Sequence, residues 1–403
     1  MARVLFVLGG ALDVGGAENQ LIALAPALRV RGFSVSVLCL WRRGSQADQL
    51  SDSGVAVHAL PRFLGYMRGP FAKLARFVGG LFTVRQRIAA ENPDIVHFIL
   101  PHGYLVGGLA AGGGGRHRCV MSRRGLNRYL DGRPFTRRFE RYLHRRMDAL
   151  LGNSCRVSMQ LLDEGGSVDR VGLIYNGLAD SRYTNLPPRE TARQVLDCPC
   201  DVLVIVKVAN LWAYKGHADL LVALSQMPAD AAWRLWLIGR DEGEGPRLRR
   251  LAERLGVNEH VYFVGESADV PTYLAAADIA VCASHEEGFS NAVLEYLAAG
   301  LPSVVTDVGG NREAVADAGL VVEAGDVDAL AGALQSLMHS DARVRLAARA
   351  RQQARNFSMD QCVNAHVSLY RELLDEGTVP AALRATTRCR AQPPLSDREN
   401  SEH

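Results

Sequence analysis

Short apolar runs alternate with polar, helix-patterned stretches along most of the chain. Residues 4–8, 34–40, 94–100, 119–122 and 171–175 read as strands, and so do 202–211, 233–239, 261–265 and 277–282. Between them, apolar positions recur at helical spacing over 19–31, 71–92, 218–226, 329–338 and 359–375. The alternation predicts mostly parallel, doubly wound sheets, whose ligands bind at the carboxyl ends of the strands. Periodicity fails over residues 179–200, which hold Pro187-Pro188 and Cys198-Pro199-Cys200, so a linker is expected there. It separates a first domain, 1–185, from a second, 201–358. The tail from 377 to 403 is rich in Pro, Arg and Ser and is expected to be disordered.

The strand ends carry the candidate chemistry. The first strand runs into Gly9-Gly10 and then Gly15-Gly16 ahead of a helix, a loop that lets backbone amides approach a phosphate. His102 and Arg123-Arg124 follow other strands of the first half. In the second half, Lys215-Gly216 opens a helix after a strand, an ammonium placed to meet a diphosphate. Arg240 ends the next strand. After the strand 277–282 comes a polar turn, then a helix that Ser290 or Asn291 caps and Gly300 stops. Glu287 then lies in the loop and Glu295 one turn inside the helix, flanking the amides of residues 288–293. Two carboxylates beside an anion pocket suit a ligand with both phosphate and hydroxyl groups. Asp326-Val327-Asp328, the one Asp-x-Asp, opens a helix and reads as its cap; no metal site is expected.

Composition excludes more than it selects. Of the 403 residues, 48% are hydrophobic and 22% charged, with a formal net charge of +3. That is an ordinary globular balance, so total charge names no partner. Its distribution does: eleven Arg lie between Arg116 and Arg146, opposed only by Asp131 and Glu140 and interleaved with aromatic residues. A helix over about 135–150 would carry a basic amphipathic surface, suited to an anionic membrane. No nucleic-acid motif accompanies it, so nucleic acid is not expected. No run approaches ~20 apolar residues, and no signal peptide is evident. The eight Cys are scattered; Cys198-Pro199-Cys200 has neither zinc nor redox spacing, and several of the others lie in apolar runs and read as small core fillers. A cytoplasmic chain, peripheral on the inner face of the cell membrane, is the expectation.

Glu287-Gly288-Phe289-Ser290-Asn291-Ala292-Val293-Leu294-Glu295, with Leu301-Pro302 through Arg312-Glu313, resembles the family-4 retaining glycosyltransferases of the GT-B fold. Gly15-Gly16-Ala17-Glu18 is similar to that family's first loop, and Lys215-Gly216 to its strand-x-Lys-Gly element. The resemblance implies two Rossmann-like domains facing a central cleft, with the helix 359–376 crossing back onto the first. It implies sugar transfer from a UDP- or GDP-sugar donor to an acceptor hydroxyl on a glycan or lipid-linked precursor, with retention and without metal or other cofactor. Glu287, Lys215 and Arg123 would then be catalytic. Gly15, Gly16, Asn210, Lys215, Arg240, Val270, Gly288, Phe289, Ser290, Asn291 and Glu295 would bind the donor, Glu295 through ribose hydroxyls. The loop up to Val270 would hold the base through its backbone. His102 and Arg124 would face the acceptor. Two departures stand out: Ser122-Arg123-Arg124 replaces a common His, and Asn210 stands where relatives commonly carry an Arg. A sugar-nucleotide epimerase of the same fold and a non-catalytic nucleotide-sugar binder are the alternatives.

Overall fold

The computed structural model of the chain describes residues 1–13, 15–61, 71–112, 116–178, 183, 185–228 and 231–390. Contacts divide it into two units, Met1–Gly177 with the chain from Asp360, and Leu178–Met359.

In the first unit seven parallel strands form one sheet. They are β1 (Arg3–Leu8), β2 (Ser34–Cys39), β3 (Ala56–Ala59), β4 (Ile95–Ile99), β5 (Arg118–Arg123), β6 (Ala149–Gly152) and β7 (Val171–Leu173), ordered β3-β2-β1-β4-β5-β6-β7. Val4 lies between Val35 and Ile95, and β1 is buried along all but its first residue, as a strand covered on both faces must be. The connecting helices are α1 (Gly16–Val30), α2 (Ala47–Asp52), α3 (Ala72–Glu91), α4 (Pro101–Ala111), α5 (Pro134–His144) and α6 (Cys155–Asp163). One face of the sheet, with Val7, Val96, Phe98 and Met121, packs against Val84 of α3, Val106 of α4, Leu143 of α5 and Leu161 of α6. The helix expected over 135–150 stops at His144, because Met147 turns inward and Ala149 begins the buried strand β6.

The second unit repeats the plan with six parallel strands: β8 (Leu203–Val208), β9 (Trp233–Ile238), β10 (Val261–Gly265), β11 (Ile279–Cys282), β12 (Ser303–Thr306) and β13 (Gly319–Val322). Their order is β10-β9-β8-β11-β12-β13. Its helices are α7 (Arg189–Val195), α8 (His217–Leu224), α9 (Gly245–Arg254), α10 (Val270–Ala276), α11 (Asn291–Ala299), α12 (Asn311–Val315), α13 (Val327–Ser336) and α14 (Ser340–Ala354). Helix α7 corrects the expected linker. Its Arg193 is buried, pairs with Asp278 at 2.6 Å and donates to the carbonyls of Ala276, Pro199 and Cys200. Residues 189–200 therefore belong to the second unit, anchored by the buried Ala192, Arg193 and Cys198.

The chain then returns to the first unit through α15 (Met359–Asp375), where the Tyr370 hydroxyl and His97 Nδ1 of β4 share a hydrogen bond of 2.6 Å. The expected disorder from 377 onward is corrected for residues 378–390. Val379, Leu383 and Ala385 are buried, α16 (Ala385–Arg390) follows, Arg388 donates to the Leu173 carbonyl, and Cys389 is joined to Cys155. Three apolar side chains and anchoring to β7 outweigh a polar composition. Residues 391–403 lie outside the described residues. Truncation after Gly377 should therefore cost ~2–4 kcal/mol and lower the melting temperature by several degrees. A truncated chain melting with the full one would contradict this packing.

Candidate active site

In both sheets the chain order reverses between two central strands, β1 and β4 in the first unit and β8 and β11 in the second. Such switch points open a crevice at the carboxyl ends of the strands. In the second unit this crevice gathers the residues singled out from sequence. Lys215, following β8, and Ser284, following β11, both donate to Glu287 Oε1 at 2.7 Å. The loop bearing Glu287 is pinned from behind by the next strand. Thr306 Oγ1 donates to the carbonyls of Ser284 (2.6 Å) and Cys282 (3.2 Å), Asn311 Nδ2 to that of Thr306 (3.1 Å), and the Gly310 amide to that of Gly288 (2.8 Å). Ser284, Thr306 and Asn311, all buried, were not singled out from sequence; their signal was the long motif continuing to Glu313. Two glycines make the close approach of these loops feasible. Gly216 has φ +68° and a Cβ there would lie 1.7 Å from the Ala283 carbonyl oxygen; Gly309 has φ +55° and its Cβ would lie 2.2 Å from that of Glu287.

Charge is concentrated here. Burial works against the Lys215 ammonium, but the Glu287 charge and hydrogen bond outweigh it and raise its pKa, so Lys215 is cationic at neutral pH. Lys207 of β8 lies buried below, and burial pulls its pKa down to about 8.

Helix α11 starts at the same loop. Ser290 is its extended N-cap residue, Phe289 packs on Phe357 with ring centroids 5.2 Å apart, and Gly288 lies in the loop ahead of them. The first amides of a helix have no partner within it, so Ala292 and Val293 in the first turn of α11 offer donors and a positive dipole end. Glu295 sits half-buried one turn further in. Beside it Tyr296 is buried, and its hydroxyl accepts from the Val208 amide at 2.7 Å, which locks α11 to the end of β8. Asn210 does not supply a charge, yet it is placed usefully: its Oδ1 accepts from the Arg240 amide at 3.0 Å. The Arg240 guanidinium stands beside Glu242 (3.3 Å) and Glu266 (3.4 Å). Val270 is the first residue of α10, which Asp269 caps.

The first unit holds the remaining candidates. Gly15 is the extended N-cap of α1, with Gly16 its first residue. His102 is the second residue of α4, exposed, after Leu100 whose φ of +68° marks strain at the strand end. Arg124 follows β5 and donates to Asn176 Oδ1 at 2.7 Å. Arg123 is a correction. It is 5% exposed, and its guanidinium is spent on Glu164 (2.6 Å) and Glu140 (2.8 Å). His144 Nε2 lies 3.0 Å from the same Glu164 oxygen, and Tyr129 donates to Glu140 at 2.7 Å. A group so enclosed meets no substrate, so the catalytic expectation for Arg123 is replaced by a structural one. Glu140, His144 and Glu164 are also the one His/Cys/Asp/Glu group among the described residues with metal-like spacing, and the cation between its carboxylates is Arg123. Asp326 caps α13, its Oδ1 accepting from the Ala329 amide at 2.9 Å.

Residues 188–357 match the family model "Glycosyl transferases group 1", and residues 14–182 match "Glycosyltransferase Family 4". The lipopolysaccharide core biosynthesis glycosyltransferase LpsE of Rhizobium meliloti is 33% identical over 181 residues, 44% of this chain and 52% of that protein. A D-inositol 3-phosphate glycosyltransferase of Stackebrandtia nassauensis is 28% identical over 401 residues, 92% of this chain and 89% of that protein. For the first two curated relatives, the matched stretch spans only 52% and 57% of their length. Among solved structures, Anabaena HepE in complex with UDP-glucose superposes with a TM-score of 0.77 at 23% identity, covering 93% of this chain and 100% of that one. Sucrose-phosphate synthase from Thermosynechococcus elongatus gives 0.78 at 21% identity, covering 93% and 99%. These likenesses lend an epimerase no support. The two sheets have the GT-B architecture, and the chain belongs to the family-4 glycosyltransferases.

Proposed function

We propose that the chain transfers a sugar, with retention and without a metal ion, from a UDP- or GDP-sugar to a hydroxyl of a lipid-linked or cell-surface polysaccharide precursor. The observation that carries this reading is Glu287 held by Lys215 and Ser284 at the mouth of α11, with Glu295 one turn inside. The donor diphosphate would lie against Lys215 and the first amides of α11, Glu295 would accept from ribose hydroxyls, and Glu287 would face the sugar. As the bond from the anomeric carbon to the diphosphate oxygen breaks, negative charge grows where donors already point. The acceptor hydroxyl attacks from the same face and its proton passes to the leaving phosphate, so configuration is kept. Gly16, His102 and Arg124 remain proposed contacts from the first unit. That HepE was solved with UDP-glucose, and that relatives are named for lipopolysaccharide core synthesis, supports the donor and acceptor classes.

Membrane association belongs to the same proposal. Arg133, Arg137, Arg138, Arg141 and Arg145 line a surface cavity of about 780 Å³ with Asp131 as its only acid. No helix among the described residues is long and apolar enough to cross a membrane. The arginines would face anionic headgroups from the cytoplasmic side.

Glu295→Gln should weaken donor binding by ~1.5–3 kcal/mol, roughly 10- to 100-fold in Kd, because hydrogen bonds to a charged acceptor are lost. Titration calorimetry with UDP- and GDP-sugars measures it; unchanged affinity in a folded variant would remove Glu295 from the site. Turnover should also survive EDTA, and a strict Mg²⁺ requirement would refute the metal-free mechanism.

A further inference from the structure

Helix α3 carries an apolar stripe that the described residues leave uncovered. Its inner face packs Val84 into the sheet, with Phe77, Leu81 and Ile88 against the same core. On the outer face, Phe71 just before the helix is 76% exposed, Leu74 63%, Val78 55% and Phe82 63%. Their spacing of three, four and four residues puts all four on one line of the helix surface. No Asp or Glu occurs in α3 before Glu91. α3 and α5 belong to the layer covering one face of the sheet, with α4 packed on both. The exposed side of α5 is Arg137, Arg138, Arg141 and Arg145 with Phe135, 88% exposed, and Tyr142, 48% exposed.

We propose that the outer face of this helical layer is a lipid interface, in which Leu74, Val78 and Phe82 of α3 enter the acyl boundary while the α5 arginines meet anionic headgroups. An uncovered apolar line of this length marks an interaction surface. Beside a basic helix bearing its own exposed aromatics, it has the make-up of a helix lying in the membrane plane. Charge selects the occupant. A second copy of the chain would bring an equally basic layer, so like charges would meet, whereas an anionic bilayer supplies the opposite sign. The inference rests on the membrane reading of the arginines and adds the element that anchors by apolar burial.

The two parts separate by salt, which screens headgroup attraction but not apolar burial. The full chain, a Leu74→Ser/Val78→Ser/Phe82→Ser variant and an Arg137→Gln/Arg138→Gln/Arg141→Gln/Arg145→Gln variant would be co-sedimented with two kinds of vesicle. One is phosphatidylcholine containing phosphatidylglycerol, the other phosphatidylcholine alone. The substituted side chains are exposed, so nucleotide-sugar binding and melting temperature should match the wild type. The wild type should bind anionic vesicles and keep a salt-resistant fraction. The α3 variant should lose that fraction and partition at least ~10-fold less at every salt concentration. The arginine variant should lose only the salt-sensitive part. If the arginine reading alone fails, wild-type binding will be indifferent to salt and to phosphatidylglycerol, yet still depend on the stripe. The proposal is overturned if the α3 variant binds vesicles as the wild type does. It is equally overturned if light scattering finds a wild-type dimer that the α3 variant dissolves.

Discussion

Arg123→Gln should destabilise the first unit by ~3–5 kcal/mol, because two buried carboxylates lose the cation they share. Glu140 and Glu164 are buried and reach Arg123 at 2.8 and 2.6 Å. Burial alone would raise the Glu164 pKa, but the hydrogen bond with His144 and the Arg123 charge outweigh it and hold it at about 2. A carboxyl depressed from an unfolded value near 4.5 contributes stability above that pH and loses it as pH falls toward 2. Without Arg123 the two acids would sooner be protonated. The deficit of the variant should therefore be greatest near neutral pH and shrink below about pH 4.5. Chemical denaturation at two pH values measures this, and turnover per folded molecule should hold at low temperature. A variant that melts like the wild type but has lost turnover would restore Arg123 to catalysis.

Lys215→Ala should lower turnover by at least ~10²–10³. In the proposed reaction Asn210 brings no charge where the family resemblance implies an Arg, so Lys215 would carry a larger share of the charge on the departing diphosphate. Its raised pKa keeps the charge in place across the neutral range. The variant also leaves Glu287 with Ser284 as its donor, so a modest loss of stability should accompany the kinetic effect. Asn210→Arg is not a simple gain here. The amide side chain accepts from the Arg240 backbone, and a guanidinium cannot do so. A Lys215→Ala enzyme with near-wild-type kcat would move the stabilising charge elsewhere.

Most strands were readable because parallel strands covered on both faces are short continuous apolar runs. The site loop was readable because Glu287, Gly288 and Glu295 lie close in sequence at a strand-to-helix junction. What escaped has physical reasons. Helix α4, with Gly103, Gly107 and Gly108, is apolar almost all round and shows no helical period. Helix α7 looked like a linker because the partners that tie Arg193 to the rest of the unit, Asp278 and Ala276, lie more than 80 residues away. Arg123 read as a substrate-facing charge at a strand end, since nothing local announces carboxylates 17 and 41 residues further on. The partners that fix Glu287 were half visible: Lys215 by its Lys-Gly turn, Thr306 and Asn311 only as unexplained members of a longer motif. The α3 stripe was hidden for a simpler cause, because periodicity marks an apolar line without saying which side the sheet covers.

The crevice at the ends of β8 and β11 is proposed to transfer a sugar from a nucleotide donor. The most direct measurement supplies radiolabelled UDP- and GDP-sugars to the purified chain together with a bacterial membrane extract. Label entering the lipid or glycan fraction is followed beside the nucleoside diphosphate released. Stoichiometric transfer with one donor, retained anomeric configuration, and loss of both signals in Lys215→Ala are expected. Donor binding with no transfer to any acceptor fraction, or transfer undiminished by Lys215→Ala, would contradict it.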